Sequence, residues 1–497
     1  TDWTTRKHDT VAQLYAGNDL FMPGDRYQVE EIVEAINNGK LSEMELDRAC
    51  SNMIRLVKRC SFPVSESDPD LSPGAETSFK AACEGAVLLE NNGMLPLAND
   101  GKAALFGVRS YNLVVTGNGA GFVSCPPVSE IGASFREAGI EIDSELEDLY
   151  TKYVAFSSTD IAANEKIKVH IGKPLLPELE ISRRLVEKAA ERNDYAVITL
   201  GRSAGEGVER TLEDDYLLSP VERKLLEDVC DIFHSKGKKV AVVLNIAGII
   251  DFSGWKDLPD ALLCIWLPGQ EGGNTVMDVL SGRQNPSGKL SMSIPVNYFD
   301  TNTYENFAYD YTGPVAMGQY AMTPYPQRKN VHYTDYEEGI YVGYRYYNTK
   351  NVKVSYPFGY GLSYTTFSYS NPTVKAEKDG FTATITVKNT GNVAGKEAVQ
   401  LYVSAPAGGL DKPNCELKSF AKTKELKPGE SQTLTFKVDA YSLASFNEAL
   451  SQWETAAGEY KLLFAANIED VRQTSSYTHK NAQSWKVSNV LKREKCN

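Results

Sequence analysis

Two carboxylates stand in sequence surroundings that could support chemistry. Glu206 lies in the stretch GRSAGEGVER (201–210), which directly follows the apolar run DYAVITL. Glycines on both sides of Glu206 let the backbone turn sharply and carry the carboxylate forward. At the end of a strand, such a group could exchange protons with a ligand, although position alone favours a turn with a solvated glutamate. The second carboxylate, Asp2, precedes Trp3 and either marks a boundary of the sequence or belongs to a larger structure.

Two other glycine-rich segments could approach a ligand. VTGNGAGFVSC (115–125) has the spacing G-x-G-x-G with no helix starting at once, which does not match a dinucleotide fingerprint. It is either a loop whose backbone lies against a ligand or a plain strand connection. In WLPGQEGGN (266–274), Glu271 could be a catalytic acid, but its place in a first helical turn favours a role in stabilising the helix dipole.

Composition excludes several classes of function. The net charge of -13, with no cluster of basic residues, argues against nucleic acid as a partner. No apolar run reaches the roughly 18 residues of a membrane span, so we expect no membrane insertion. Five histidines without an HExxH spacing argue against a metal site, and no motif calls for a cofactor. The eight cysteines form no CxxC pair, so we expect buried free thiols.

The elements that would position these residues follow from hydrophobic periodicity. LSEMELDRACSNMIRLVKRC predicts an amphipathic helix with a capping box of Ser42 and Glu45, and the Pro- and Ser-rich residues 61–74 predict a linker. Residues 75–300 alternate apolar strands, KAALFG, DYAVITLG, KKVAVVLNI and DALLCIW, with helices, one of them capped by Ser219 and Pro220. Near-continuous apolar strands predict an α/β sandwich with a mostly parallel sheet covered on both faces.

In the remaining residues, the composition and the hydrophobic pattern change twice. Residues 301–365 are rich in tyrosine with little periodicity, which predicts an extended connection along the surface. Residues 366–480 contain short alternating strands with turn punctuation, including GFTATITVKNTGN, EAVQLYVS, QTLTFKVD and GEYKLLFAA, and these predict a fibronectin type III-like β-sandwich. Residues 481–497 form a C-terminal tail.

Together the motifs resemble glycoside hydrolase family 3, the retaining β-glucosidases and their relatives. The motifs that carry the resemblance span almost the whole chain in the family's order: TDW, AGNDLFMPG, EGAVLLENNGMLPL, GEGVER, PGQEGGN, NPSGKL, EGIYVGYRYY and FGYGLSYTTF. The resemblance implies three parts in this order: the last portion of a (β/α)8 barrel over residues 1–60, an α/β sandwich and a fibronectin-like domain.

The resemblance also assigns roles to individual residues. Asp2 matches the nucleophile of the family's SDW-type motif, and Trp3 would pack on the sugar. Glu206 matches the acid/base of the GEGxDR motif, although Glu209 replaces the family's frequent aspartate and weakens the inference about Arg210. The loop of Asn118, Gly119, Ala120 and Gly121 resembles the glycine- and serine-containing loop beside the sugar. Retaining glycosidases need such a pair of carboxylates about 5 to 5.5 Å apart.

The resemblance implies release of a terminal β-linked sugar, most readily glucose, from an oligosaccharide or glycoside, with β-xylosides as the alternative substrate. The family's barrel normally precedes the SDW motif, so we expect a preceding segment or a second chain to carry the rest of it. A non-catalytic carbohydrate-binding or scaffold fragment is the alternative function. The sequence leaves open the oligomeric state, a homo-oligomer included, and the compartment, whether bacterial cytoplasm or periplasm.

Overall fold

The computed structural model describes residues 9–22, 24–61, 70–98, 101–117, 121–123, 128–164, 175–204, 210–304 and 336–488, with side chains of the helix ending at 164 described as far as 157. The chain divides into two compact units, Thr1–Leu71 and Ser72–Asn497. Within these ranges, no helix is both long enough and apolar enough to cross a membrane.

The described part of the first unit is helical. Its elements are α1 (Thr10–Tyr15), α2 (Arg26–Asn37) and α3 (Glu43–Cys60). The three helices pack around a small cluster of buried side chains: Leu14, Ala35, Leu41 and Ala49. Residues 9–22 and 24–61 contain no strand, and the first eight residues lie outside the described part. The barrel portion therefore remains a prediction.

The predicted helix of the first unit is present as α3. Ser42 is its N-cap, and the hydroxyl accepts a hydrogen bond from the Glu45 backbone N–H at 3.3 Å. The Glu45 carboxylate pairs with Arg48 at 2.9 Å and makes no return bond to the Ser42 backbone N–H, so only the Ser42 half of the predicted capping box is present. The apolar face predicted for this helix is only partly covered, since Ile54 and Val57 are more than half exposed.

The second unit opens with a six-stranded sheet in the order β1-β6-β5-β4-β2-β3. Strands β2 to β6 are parallel to one another, and β1 is an edge strand that pairs antiparallel with β6. The strands are β1 (Val87–Asn91), β2 (Lys102–Phe106), β3 (Glu141–Ile142), β4 (Tyr195–Arg202), β5 (Lys239–Ile246) and β6 (Ala261–Cys264). The helices are α4 (Ser72–Gly85), α5 (Ile131–Glu137), α6 (Ser144–Asn164), α7 (Arg183–Arg192), α8 (Pro220–Ser235) and α9 (Gly272–Leu280).

Burial on both faces explains the apolar strands. All eight residues of β4 are buried, and so are seven of the eight residues of β5. One core joins the sheet to α6, α7 and α8, and a second core joins its other face to α5 and α9. A sheet with no solvated face has no place for alternating polar residues. The predicted α/β sandwich with a mostly parallel sheet is confirmed.

The start of α8 also agrees with the sequence. Ser219 caps the helix through a reciprocal capping box with Glu222, and Pro220 occupies the first helical position. Proline fits there because the backbone N–H it lacks would have no partner inside the helix. Helix α8 thus begins close to the carboxyl end of β4, because Glu222 in its first turn contacts Arg202, the last residue of that strand.

The last part of the chain is a β-sandwich. One sheet has the order β13-β10-β9 and the other β12-β11-β16-β17, around a shared apolar core. A smaller sheet has the order β14-β15-β18. The strands are β9 (Phe367–Ala376), β10 (Phe381–Asn389), β11 (Ala398–Ser404), β12 (Glu416–Lys422), β13 (Ser431–Val438), β14 (Ser445–Asn447), β15 (Gln452–Thr455), β16 (Gly458–Asn467), β17 (Asp470–His479) and β18 (Gln483–Lys486).

Alternating burial accounts for the strand pattern of this domain. In β10 every second side chain is buried, from Phe381 to Val387, while the threonines between them face outward. Period-2 burial of one face is what a two-sheet sandwich requires. The four strands predicted from the sequence correspond to β10, β11, β13 and β16, which confirms the predicted β-sandwich.

Within the Tyr-rich connection, the structure describes residues 301–304 and 336–365. Its described part includes a short helix, α10 (Tyr344–Lys350), and the strand β8 (Val354–Tyr356), which pairs with β7 (Ile294–Pro295). Several of its tyrosines are at least partly buried and bond their hydroxyls to distant groups, as Tyr356 does with Glu90 at 2.9 Å and Tyr364 with the Val279 carbonyl at 2.9 Å, whereas Tyr336 is 81% exposed. Such amphipathic side chains leave little hydrophobic periodicity in the sequence.

The cysteines of the described part are free thiols. Four are buried, Cys83, Cys230, Cys264 and Cys415, whereas Cys50 and Cys60 are exposed. Burial raises the pKa of Cys83 to about 11 and that of Cys230 to about 12. These thiols stay protonated and inert near neutral pH, so the prediction of buried free cysteines is confirmed for these four.

Candidate active site

Most of the predicted site residues lie outside the described residues. These are Asp2, Trp3, Asn118, Gly119, Ala120 and Glu206. Gly121 is described and is exposed. The separation of the two carboxylates therefore remains a prediction, and near Glu206 the described residues are those that flank the segment 205–209.

The flanks of the two glycine-rich loops meet. A Cβ atom placed on Gly117 would lie 3.6 Å from the carbonyl oxygen of Ala204 and 3.9 Å from the Cα atom of Gly121. Gly117 directly precedes residues 118–120, and Ala204 directly precedes residues 205–209. The two loops are far apart in the sequence, and the fold brings their described ends within contact distance.

The order of the strands explains this meeting point. After β2, the chain first forms β3 on one side of β2 and then forms β4 on the other side of β2. Open parallel sheets have a crevice outside the carboxyl ends of the two strands where the direction of winding changes. Here β2 ends at Phe106 and β4 ends at Arg202. Both glycine-rich loops therefore follow strands that border the crevice.

A buried amide fixes this edge of the sheet. Asn245, the second-last residue of β5, is fully buried. Its Oδ1 accepts from the Val114 backbone N–H at 2.7 Å, and its Nδ2 donates to the carbonyls of Val114 and Trp266, each at 2.8 Å. One side chain thus joins the segment before Gly117 to the segment that follows β6.

A cavity of about 570 Å³ opens beside the carboxyl end of β4. Charged side chains make up much of its wall: Arg109, Glu178, Arg202, Asp214, Asp215 and Glu222. This volume is sufficient for a small ligand. The described part of the chain therefore contains a cavity with several charged lining residues beside Arg202 and Ser203, which lie shortly before Glu206 in the sequence.

Arg202 ends β4 with a buried ion pair. Its Nη1 and Nη2 donate to the two carboxylate oxygens of Glu222 at 2.7 and 2.9 Å. The two side chains are 5% and 10% exposed. Arg202 Nε also donates to the backbone carbonyl of Asp215 at 2.5 Å. Planar guanidinium groups suit such bidentate contacts, so the last residue of the strand is held in one orientation.

Arg210 follows the segment 205–209, and three hydrogen bonds fix its guanidinium group. Its Nε and Nη2 donate to the two carboxylate oxygens of Asp215 at 3.0 and 2.8 Å, and its Nη1 donates to the Ile249 carbonyl at 2.6 Å. The family pattern places an aspartate where this chain has Glu209. The described contacts nevertheless anchor Arg210 fully.

Glu178 lines the cavity, and its surroundings shift its pKa. Burial raises the pKa of Glu178 to about 7, and the charge of Glu222 adds to the rise. The backbone N–H groups of Val108 and Leu179, both donating at 3.0 Å, and the positive charge of Arg109 oppose the rise. A carboxyl with this pKa changes its charge near neutral pH.

Glu271 lies at the start of α9, as the sequence predicted, and its side chain makes no capping hydrogen bond to the helix backbone. It is the N-cap residue of α9, and its Oε2 accepts from Asn274 Nδ2 at 2.8 Å. Acidic side chains stabilise helix N-termini through the helix dipole.

Three residues of this region were not predicted from the sequence: Asp215, Glu178 and Glu222, which pairs with Arg202. A signal existed only for Glu222, which occupies the third position after the N-cap Ser219. Nothing in the spacing of Arg202 and Arg210 indicated that Asp215 would contact both. Their contacts depend on how the segment Leu212–Tyr216 turns, with Asp214 in the left-handed region at φ 61°.

Family models match two separate parts of the chain. The glycosyl hydrolase family 3 C-terminal domain matches residues 86–364, and the fibronectin type III-like domain matches residues 397–468. These matches cover the α/β sandwich and most of the β-sandwich described above.

Relatives and solved structures agree with both matches. A β-glucosidase of Ruminococcus albus is 35% identical over 416 residues, which are 81% of this chain and 40% of that protein. An exo-α-(1->6)-L-arabinopyranosidase of Bifidobacterium breve is 31% identical over 486 residues, 95% of this chain and 58% of that protein. The structure of β-glucosidase 3B from Thermotoga neapolitana in complex with glucose has a TM-score of 0.83 and 38% identity, covering 98% of this chain and 66% of that one.

The chain spans roughly half the length of these two relatives, from 40 to 58%. The family expected from the motifs is confirmed by a model that matches more than half of the chain. The chain belongs to glycosyl hydrolase family 3 and carries the family's C-terminal domain together with a fibronectin type III-like domain.

Proposed function

We propose that this chain is part of a retaining β-glucosidase, in which Asp2 is the nucleophile and Glu206 is the acid/base. The observation that carries the proposal is the position of the GEGVER segment. It follows the carboxyl end of β4 at the winding change of the sheet, and its described flank meets that of the second glycine-rich loop. The names of the Ruminococcus albus and Thermotoga neapolitana relatives support glucose as the sugar.

The proposed chemistry needs two carboxylates with different tasks. Asp2, ionised, attacks the anomeric carbon and forms a glycosyl-enzyme, while Glu206, protonated, gives its proton to the leaving oxygen. Glu206 then removes a proton from the water that releases the sugar, so both groups return to their starting state. Trp3 and residues Asn118, Gly119, Ala120 and Gly121 would contact the sugar.

The proposal includes a partner for the barrel. The relatives are longer than the part that this chain matches, so a preceding segment or a companion chain would supply the other barrel strands. The assay therefore compares the 497-residue chain alone with the chain mixed with the portion of the Thermotoga neapolitana enzyme that it does not span.

The test of Glu206 uses two aryl β-glucosides. Glu206→Ala should slow a substrate with a poor leaving group by about 100-fold or more, and should slow a dinitrophenyl glucoside far less, because that leaving group needs little protonation. Asp2→Asn should abolish turnover of both substrates, because an amide cannot form the glycosyl-enzyme. Glu213→Gln, which changes an exposed carboxylate nearby, is the matched control and should behave as the parent protein.

The results separate the alternatives. Equal loss on both substrates in Glu206→Ala would contradict its role as the acid. Sugar binding without hydrolysis in every combination would favour a non-catalytic carbohydrate-binding fragment. The substrate series also includes a β-xyloside and an α-L-arabinopyranoside, the latter because two Bifidobacterium relatives, each 31% identical, are named for that sugar. We expect the β-glucoside to give the highest kcat/KM.

A further inference from the structure

An aromatic row crosses the small sheet of the fibronectin-like domain. Strands β14, β15 and β18 pair so that Phe446 lies opposite Trp453, and Trp453 lies opposite Trp485. Directly opposite residues in antiparallel strands project from the same face. Tyr441 packs on this row, with its ring centroid 5.8 Å from that of Trp453 and 5.3 Å from that of Trp485. We call these four residues the aromatic cluster.

The aromatic cluster is open to solvent. Tyr441 is 48% exposed and Phe446 is 41% exposed, while the two tryptophans are partly buried. Each tryptophan thus keeps part of its surface in water, although aromatic side chains gain more free energy from burial than most others. An exposed patch of this kind marks a binding site more often than an isolated exposed residue does.

The face that carries the aromatic cluster has no charge from its three strands. Their charged residues, Glu454 and Lys486, are each one position from a tryptophan and project from the opposite face. The contacts agree with this placement, because Glu454 Oε1 accepts from Asn447 Nδ2 at 3.1 Å and from Gln452 Nε2 at 2.6 Å. Gln483, two positions from Trp485, adds an exposed amide on the aromatic side.

We propose that the aromatic cluster binds a neutral saccharide chain, specifically a soluble β-glucan. The C–H groups of a pyranose ring pack on aromatic rings, and its hydroxyls bond to neighbouring amides. The choice of a glucan rests on the proposed function. The angles between the planes of neighbouring rings in the cluster are 58 to 89°. Rings tilted in this way suit a twisted single chain rather than the flat surface of a crystal.

Charge and size argue against the other occupants of such a face. Single-stranded nucleic acids also stack on aromatic rings, but they need a basic groove, and this chain has a net charge of -13. A second copy of the chain would need about 20 to 30 interface residues on each side. The cluster has four, and its exposed apolar neighbours Leu450 and Val487 add only two.

The test measures binding rather than hydrolysis. The 497-residue chain is run in native gels that contain soluble mixed-linkage β-glucan, and its retardation gives the dissociation constant. The double variant Tyr441→Ala/Phe446→Ala should weaken binding by about fivefold or more, as expected for the loss of aromatic contacts. Phe420→Ala is the matched control, because Phe420 is a 71% exposed aromatic residue on β12 of the same domain. It should leave binding unchanged.

A second variant keeps the proposal testable if the double variant unfolds. Trp485→Phe retains an aromatic ring and the strand pairing, and should weaken glucan binding by a smaller factor. Equal retardation of the parent protein and the folded cluster variants would overturn the proposal, as would binding only to microcrystalline cellulose or formation of a dimer that the variants abolish. Glu206→Gln should still bind the glucan, so failure of the proposed chemistry and failure of this inference are distinguishable.

Discussion

At the scale of single residues, Asp215 contacts both flanks of the segment 205–209. Its backbone carbonyl accepts from Arg202, which precedes the segment, and its carboxylate accepts two hydrogen bonds from Arg210, which follows it. Catalytic groups need support that holds them within about 0.5 Å of the working geometry. Asp215 fixes the two points from which the proposed acid/base segment departs, so it is a positioning residue rather than a catalytic one.

Glu178 gives a pH prediction at the same scale. Because burial raises its pKa from 4.5 to about 7, the native state binds a proton more tightly than the unfolded state does. The free energy of unfolding should therefore fall as pH rises from about 4.5 to about 7, by at most about 3 kcal/mol from this group. Glu178→Gln should remove that fall.

The measurement is urea unfolding at pH 5 and at pH 8. The parent protein should lose more stability between the two pH values than Glu178→Gln does. Glu180→Gln, which changes an exposed neighbouring carboxylate, is the control and should keep the parent pH dependence. An identical pH dependence in the parent and in Glu178→Gln would show that Glu178 titrates normally.

At the scale of elements, Gly107 directly follows β2 and lies against the middle of β4. It has a φ of 89°, and a Cβ atom there would lie 2.4 Å from the carbonyl oxygen of Thr199 in β4. Gly107→Ala must therefore strain the backbone and also push the two strands apart. We expect a loss of about 3 kcal/mol or more in the free energy of unfolding.

Gly139→Ala provides the matched control. Gly139 has a φ of 84° but open space around its Cα atom. This variant should cost only the strain of the left-handed conformation, about 1 kcal/mol. Urea unfolding of both variants isolates the close approach of the strands as the difference between them. Similar losses in the two variants would mean that β2 and β4 can separate at no cost.

At the scale of the whole second unit, Gln400 connects the β-sandwich to the preceding segment. Its Nε2 donates to the carbonyl of Gly359 at 3.0 Å and to that of Ala466 at 2.7 Å, and its Oε1 accepts from the Tyr402 hydroxyl at 2.6 Å. Gln400→Met would leave three buried polar groups without this partner. We expect a loss of about 2 to 4 kcal/mol.

Scanning calorimetry checks this prediction. The parent protein should unfold its α/β sandwich and fibronectin-like domain together, and Gln400→Met should separate the two transitions. Gln473→Met is the control, because the Gln473 amide donates at 3.1 Å to Tyr369, within the β-sandwich itself. A single unshifted transition in Gln400→Met would show that other contacts hold the domains together.

The sequence by itself determined the types of the elements and the family. Buried parallel strands must be apolar throughout, so β2, β4, β5 and β6 could be predicted from short runs of apolar residues. The sandwich strands were identified by their alternation, and the start of α8 by Ser219 and Pro220. These signals are local, because burial and capping act on residues close together in the chain.

Only the tertiary structure decided which distant side chains meet. The pairs of Arg202 with Glu222 and of Arg210 with Asp215 depend on a turn that no periodicity describes. The aromatic cluster depends on the register of three short strands, since a shift of one residue would move each ring to the other face. Hydrophobic pattern sets the faces of elements, whereas strand register and turn geometry select the partners of polar and aromatic side chains.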